Sequence, residues 1–140
     1  MNVKIKFYLS DIEFGASGAP EPEIQKLLGQ LDFQIPGDYL DLMREHNGGE
    51  GEIGDHSWLT LFPITELAKM NKANEILMNQ IPDYYLFGKD SADTAYAFHK
   101  RKGTFHSFGF MSNFKNDIIE FCGNNFIEFL EYLYNYKFEN

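Results

Sequence analysis

Residues Ile35–Ile64 read "IPGDYLDLMREHNGGEGEIGDHSWLTLFPI". Pro36 opens a helical pattern, because its missing N–H would have no intrahelical partner in the first turn. Tyr39, Leu42, Met43 and His46 then share one face, while Asp38, Asp41, Arg44 and Glu45 cover much of the rest. The helix is expected to close at Asn47–Gly48, residue types that adopt the left-handed conformation ending many helices. A glycine-rich loop follows with Glu50, Glu52, Asp55 and His56, and Trp58–Phe62 reads as a short apolar strand stopped by Pro63. The stretch is therefore either a pocket built on acids and a histidine, or a reversal that returns a helix onto a sheet.

The flanking sequence supplies the elements that such a reversal would join. Upstream, Val3, Ile5, Phe7 and Leu9 alternate with Lys4, Lys6 and Tyr8, a period of two that predicts a half-buried strand. "GASGAPEPE" breaks regular structure and delivers a helix with Pro22 in its first turn and Ile24, Leu27, Leu28 and Leu31 along one stripe. Downstream, Ile64, Leu67 and Ala68 restart helical spacing, and Ala73, Ile76 and Leu77 predict a further turn or two before Pro82. "YYLFG", "TAYAFH" and "TFHSFGF" are short aromatic strands separated by "KDSAD" and "KRKG", with "DIIEF" as a further strand. Tyr96 and Phe98 fall on one face of theirs; Ala95, Ala97 and His99 fall on the other. A C-terminal amphipathic helix carries Phe126, Phe129, Leu130 and Leu133, with Asn125 and Glu128 spaced as a capping box. Helices, then an antiparallel meander, then a helix spell an α+β fold: a mainly antiparallel sheet packed by N-terminal and C-terminal helices.

The chain has 140 residues, a length suited to one domain, with 14 Phe and 8 Tyr to build an aromatic core. A single cysteine, Cys122, permits no internal disulfide. No apolar run reaches the length of a signal peptide or a membrane span, so a cytoplasmic protein without membrane association is expected. The net charge of −9 repels phosphate backbones and argues against nucleic-acid binding. The same charge suits either plain solubility or a basic protein partner.

Positive signs of catalysis or cofactor binding are lacking. Glu50, Glu52, Asp55 and His56 could ligate a hard cation, yet their spacing matches no established signature, and Gly49, Gly51 and Gly54 are accounted for by backbone freedom. Asp90 and Asp93 in "KDSAD" read as caps of a turn. No glycine-rich phosphate cradle is present. A nucleophilic site would need Cys122 beside His99 or His106, but Cys122 between Phe121 and Gly123 reads as a small buried thiol. No catalytic, metal or cofactor residues are assigned, and the chain is expected not to be an enzyme.

Three features in fixed order carry a resemblance: "IPGDYLDLMREHNGG", the strand "WLTLFPITEL", and "LFGKDSADTAYAFHKRKGTFHSF" with the terminal "NNFIEFLEYL". Together they resemble the SUKH superfamily of fungal cell-wall regulators and bacterial immunity proteins. The matching positions are Ile35, Pro36, Tyr39, Asn47, Gly48, Gly49, Phe62, Gly88, Asp93, Tyr96, Phe126, Phe129 and Leu130. Residues 1–140 then form a single SUKH-like domain, with residues 1–15 an added strand segment ahead of the pattern; a second departure is Ala97–Phe98–His99, where many relatives carry an acid after the aromatic. The resemblance implies a protein-binding module, and in bacteria an immunity protein that blocks a cognate toxin, with a cell-wall-regulator type of adaptor as the alternative. A basic toxin domain would meet the acids, and Glu50, Glu52, Asp55 and Trp58 on one side, with Asp90 and Asp93 on another, are the candidate partner-binding residues. A small hydrolase using Cys122 is the third reading.

Overall fold

A computed structural model describes residues 2–15 and 17–137. Its centre is a seven-stranded sheet in which every strand pairs antiparallel with its sequence neighbours, in the order β1 to β7. The strands are β1 (Ile12–Phe14), β2 (Gly49–Ile53), β3 (Ser57–Leu61), β4 (Tyr84–Lys89), β5 (Thr94–His99), β6 (Phe105–Gly109) and β7 (Glu120–Gly123). Helices α1 (Val3–Tyr8), α2 (Glu21–Gln30) and α3 (Gly37–Glu45) precede β2. Helices α4 (Leu67–Ala73) and α5 (Glu75–Met78) lie between β3 and β4, and α6 (Phe126–Asn135) follows β7. The α+β architecture is the expected one, with N-terminal and C-terminal helices packed on the sheet.

Helix α3 begins directly after Pro36 and buries Tyr39, Leu40, Leu42 and Met43. Tyr39 enters a ring cluster, lying 5.5 Å from Phe87, 6.2 Å from Phe98 and 6.2 Å from Phe126 between centroids. From α6, Phe129 stacks on Phe105 at 5.4 Å and meets Phe87 and Tyr96 edge-on. These rings fill the space between sheet and helices and exclude water, the largest favourable contribution to folding. Helix α6 is started by Asn125, whose side chain accepts the Glu128 N–H at 2.9 Å, while the Glu128 carboxylate accepts the N–H of Asn124 at 3.0 Å. That is the capping box shifted by one residue on its return arm.

The Asn47–Gly48–Gly49 motif has a local explanation. Helix α3 ends at Glu45, and the Asn47 side-chain carbonyl accepts the Ile64 N–H at 2.7 Å, joining the end of the helix to the chain leaving β3. Gly48 has φ +90°, and a Cβ there would meet the Leu61 carbonyl oxygen at 2.8 Å and the Pro63 nitrogen at 2.9 Å. Only glycine combines that backbone with that approach.

Three expectations need correction. The strand expected over Val3–Leu9 is helix α1, capped by the Asn2 side chain; Ile5 and Leu9, four residues apart, are the buried pair, while Val3 and Phe7 are exposed. The period-two pattern coincided with an i, i+4 pair that a helix buries equally well. The strand of the N-terminal segment is β1 instead, three residues paired to β2. Next, the acid-bearing loop after Gly48 is largely strand: Glu50 and Glu52 project outward from β2 while Gly51 and Ile53 are buried. Finally, the strand expected at Asp117–Phe121 starts at Glu120, and Ile118 is exposed.

Candidate functional site

Strand β3 pairs with β4 through only Thr60 and Leu61, so Ser57, Trp58 and Leu59 run on without a β4 partner. Beyond Lys89 the chain turns back at Asp90–Asp93, and the sheet parts at this end. A groove of about 1140 Å³ opens there. The β2–β3 hairpin forms one wall, the β4–β5 turn another, and the β6 end, the approach to β7 and the end of α6 complete it.

The hairpin tip is held against α6. The Ser57 hydroxyl donates to the Leu133 carbonyl at 2.6 Å. Gly54, at φ +68°, sits so close to Tyr134 that a Cβ would collide with its backbone. Glu52 and Trp58 are directly opposite each other across the hairpin, as are Glu50 and Thr60. The Trp58 indole N–H donates to the Thr60 hydroxyl at 2.9 Å, which donates to the Glu50 carboxylate at 3.2 Å. This chain orients the half-buried indole. The Trp58 carbonyl, at a position with no β4 partner, accepts the Tyr96 O–H at 3.0 Å.

On the facing wall, one Asp90 carboxylate oxygen accepts the N–H groups of Ala92 at 2.9 Å and Thr94 at 3.0 Å. The turn is thus capped by an aspartate, as its sequence suggested. Four carboxylates line the groove, Glu52, Asp55, Asp90 and Glu120, together with His56 and one lysine, Lys137. Among the described residues, none of the four has a Lys or Arg ion-pair partner. Tyr132, with the groove's wall at its side, has its phenol pushed up to about 12, chiefly by burial.

The structure therefore brings Glu52, Asp55, Trp58 and Asp90 to one groove, where the sequence placed them on two sides. Glu50 and Asp93 stand outside its lining; Glu50 belongs to the hydrogen-bond chain on the hairpin, and the Asp93 carbonyl accepts the Phe110 N–H at 2.7 Å. Glu120, Tyr132 and Tyr136 are additions that no local pattern marked as a site. Tyr132 and Tyr136, four apart and with ring centroids 6.2 Å apart, were the available signal: aromatic residues off the buried Phe126–Phe129–Leu133 stripe of α6.

The residues weighed for other chemistry have structural partners. Cys122 is buried, its Sγ lies 3.5 Å from the Ser107 hydroxyl, and burial pushes the thiol up to about 11, far from a thiolate at neutral pH. His46 stacks on Phe14 at 4.3 Å, and His99 Nδ1 accepts the N–H groups of Arg101 and Lys102, closing the β5–β6 turn. Among the described residues, no three His, Cys, Asp or Glu side chains converge as metal ligands do, and no helix is long and apolar enough to cross a membrane.

No curated protein matches the chain. The family model described as SMI1 / KNR4 family (SUKH-1) does match, over residues 18–132, from just before α2 to within α6. SUKH domains are protein-interacting modules, in a family that includes both immunity proteins and SMI1/KNR4 regulators. By that match, and with the ring-packed sheet and helices that carry the motif residues, this chain belongs to the SMI1/KNR4 (SUKH-1) family.

Proposed function

We propose that this protein is a non-enzymatic immunity protein that neutralises a cognate bacterial toxin by binding it directly in the cytoplasm. The observation that carries the reading is the acid-lined groove at the parted end of the sheet, on a domain whose family members interact with proteins. A toxin that acts on nucleic acid presents a basic surface to phosphates, and an acidic inhibitor meets that surface with complementary charge, which speeds encounter and fixes orientation. The formal charge of −9 acts in the same direction over longer range. Binding needs no reacting group, and two of the residues weighed for chemistry have structural roles: Cys122 is a buried neutral thiol and Asp90 caps a turn.

Co-expression with the product of the adjacent gene tests the reading. Growth arrest by that product should be relieved by this protein, and the two should co-purify as a stoichiometric complex. Arrest that is equally severe with and without this protein refutes the immunity role; stable complexes with several unrelated cellular proteins instead would indicate an adaptor.

A further inference from the structure

Resting on the protein-binding reading above, we propose that the groove receives an extended, arginine-bearing segment of the partner, with a guanidinium seated between the Trp58 indole and the Glu52 carboxylate. Register is the first ground. Residues directly opposite in an antiparallel pair project side by side on one face, about 5 Å apart at Cβ, so Glu52 and Trp58 can engage one planar cation together. A guanidinium stacks on an aromatic face and forks to a carboxylate at once; a lysine ammonium does one or the other less well. The second ground is preorganisation. The indole is held by its bond to Thr60, the strand carbonyl behind it by Tyr96, and the hairpin tip by Ser57 and Gly54 against α6. Little ordering is left to be done on binding.

Charge and size are the third ground. Asp55, Asp90 and Glu120 join Glu52 around the same groove, four carboxylates against one lysine, Lys137, in its described lining, and none of the four is ion-paired to a Lys or Arg among the described residues. Its 1140 Å³ exceeds the roughly 300–1,000 Å³ of ordinary small-molecule sites, so several residues of peptide fit where a single cation would rattle.

Trp58 is the only tryptophan in the chain, so its fluorescence reports on the groove itself. The probe is the capped peptide Gly-Arg-Gly-Arg-Gly, with Gly-Lys-Gly-Lys-Gly and Gly-Glu-Gly-Glu-Gly beside it, titrated at low salt. The arginine peptide should give a saturable change in Trp58 emission, and the glutamate peptide none. The paired variant Glu52→Gln/Asp55→Asn should weaken the arginine peptide about tenfold, the loss expected when charge-assisted hydrogen bonds are removed. The control pair Glu23→Gln/Asp32→Asn removes the same charge from exposed positions outside the groove and should leave affinity within about twofold, because distant surface charges are screened. Equal losses from both pairs, or no saturable signal, would overturn the groove assignment; equal affinity for the lysine peptide would overturn the guanidinium assignment. Relief of growth arrest that survives Glu52→Gln/Asp55→Asn would remove the groove from the interface while leaving the immunity role standing, so the two proposals fail separately.

Discussion

The aromatic core and the groove are built from the same kind of side chain and treat it oppositely. In the core, Phe87, Phe98, Phe105, Phe126 and Phe129 are at most 1% exposed and touch one another edge-on or stacked. They carry no polar atom that would have to be satisfied. Around the groove Phe108 is joined by Trp58, Tyr96, Tyr132 and Tyr136, these four each with a polar group, and two of those groups hold the hairpin: the indole N–H on Thr60 and the Tyr96 hydroxyl on the Trp58 carbonyl. The dry cluster is mainly phenylalanine, with Tyr39 among its rings. Tyrosine and tryptophan predominate where the sheet parts, because they can bury a face and still satisfy an exposed end. Under the proposed function, that contrast separates what holds the fold together from what meets a partner.

The strongest way to break that comparison is to truncate a ring on the dry side. Phe129 is fully buried and touches Phe87, Tyr96, Phe105 and Phe126. Phe129→Ala should lower stability by about 3–5 kcal/mol through lost transfer free energy and an unfilled cavity. Urea unfolding followed by Trp58 fluorescence measures it. A loss below about 1 kcal/mol, the range of a tolerated volume-conserving swap, would mean that the cluster is not the core of the fold.

A middle-sized effect lies at the seam between the two regions. Gly54 and Gly103 both have φ +68°, but only Gly54 is pressed against another backbone, that of Tyr134 in α6; Gly103 faces open space. Either alanine substitution imposes left-handed strain of about 1–2 kcal/mol. Gly54→Ala must in addition push the hairpin tip off α6, so its melting temperature should fall further and its Trp58 emission should shift to the red. Equal losses from the two variants, with unshifted emission, would show that the tip is not docked.

These residues also show what the chain disclosed before it was seen folded. Helices α2, α3 and α6 were legible because Ile24 and Leu27, Tyr39 and Met43, and Phe126, Phe129 and Leu133 recur at helical spacing beside proline or asparagine starts. Strands β4, β5 and β6 were legible as short aromatic runs set apart by the turn signals "KDSAD" and "KRKG", while β7 was placed three residues early. Strand β2 was not: in "GEGEI" the glycines suggested a turn, although Glu50 and Glu52 alternate with Gly51 and Ile53 as a half-buried strand requires. Helix α1 was masked by a pattern that satisfies both periods. At the site, Glu52, Asp55, Trp58 and Asp90 were marked by residue type, but their meeting depends on β3 leaving β4 after two pairs, which no local spacing encodes. Glu120 and Tyr132 reach the groove only through the sheet order and the return of α6.

The smallest predicted effect separates two buried tyrosines, one on each side of the divide. Tyr96 donates its hydroxyl to the Trp58 carbonyl at 3.0 Å, so Tyr96→Phe leaves that carbonyl without its partner at the parted end of the sheet. Tyr39 is wholly buried, and among the described residues no protein atom hydrogen-bonds its hydroxyl. Burial raises both phenols above the ordinary tyrosine value, so both are neutral at pH 7, and neither substitution removes a charge. Tyr96→Phe should therefore cost about 1 kcal/mol, the net worth of one hydrogen bond, while Tyr39→Phe deletes an oxygen that makes no protein bond and should be neutral or stabilising. The Tyr96 variant should also loosen Trp58, seen as easier quenching by iodide or acrylamide; the Tyr39 variant should not. If both cost the same and neither changes quenching, the Tyr96 hydroxyl does not hold the hairpin, and the groove's wall is kept in place by α6 alone.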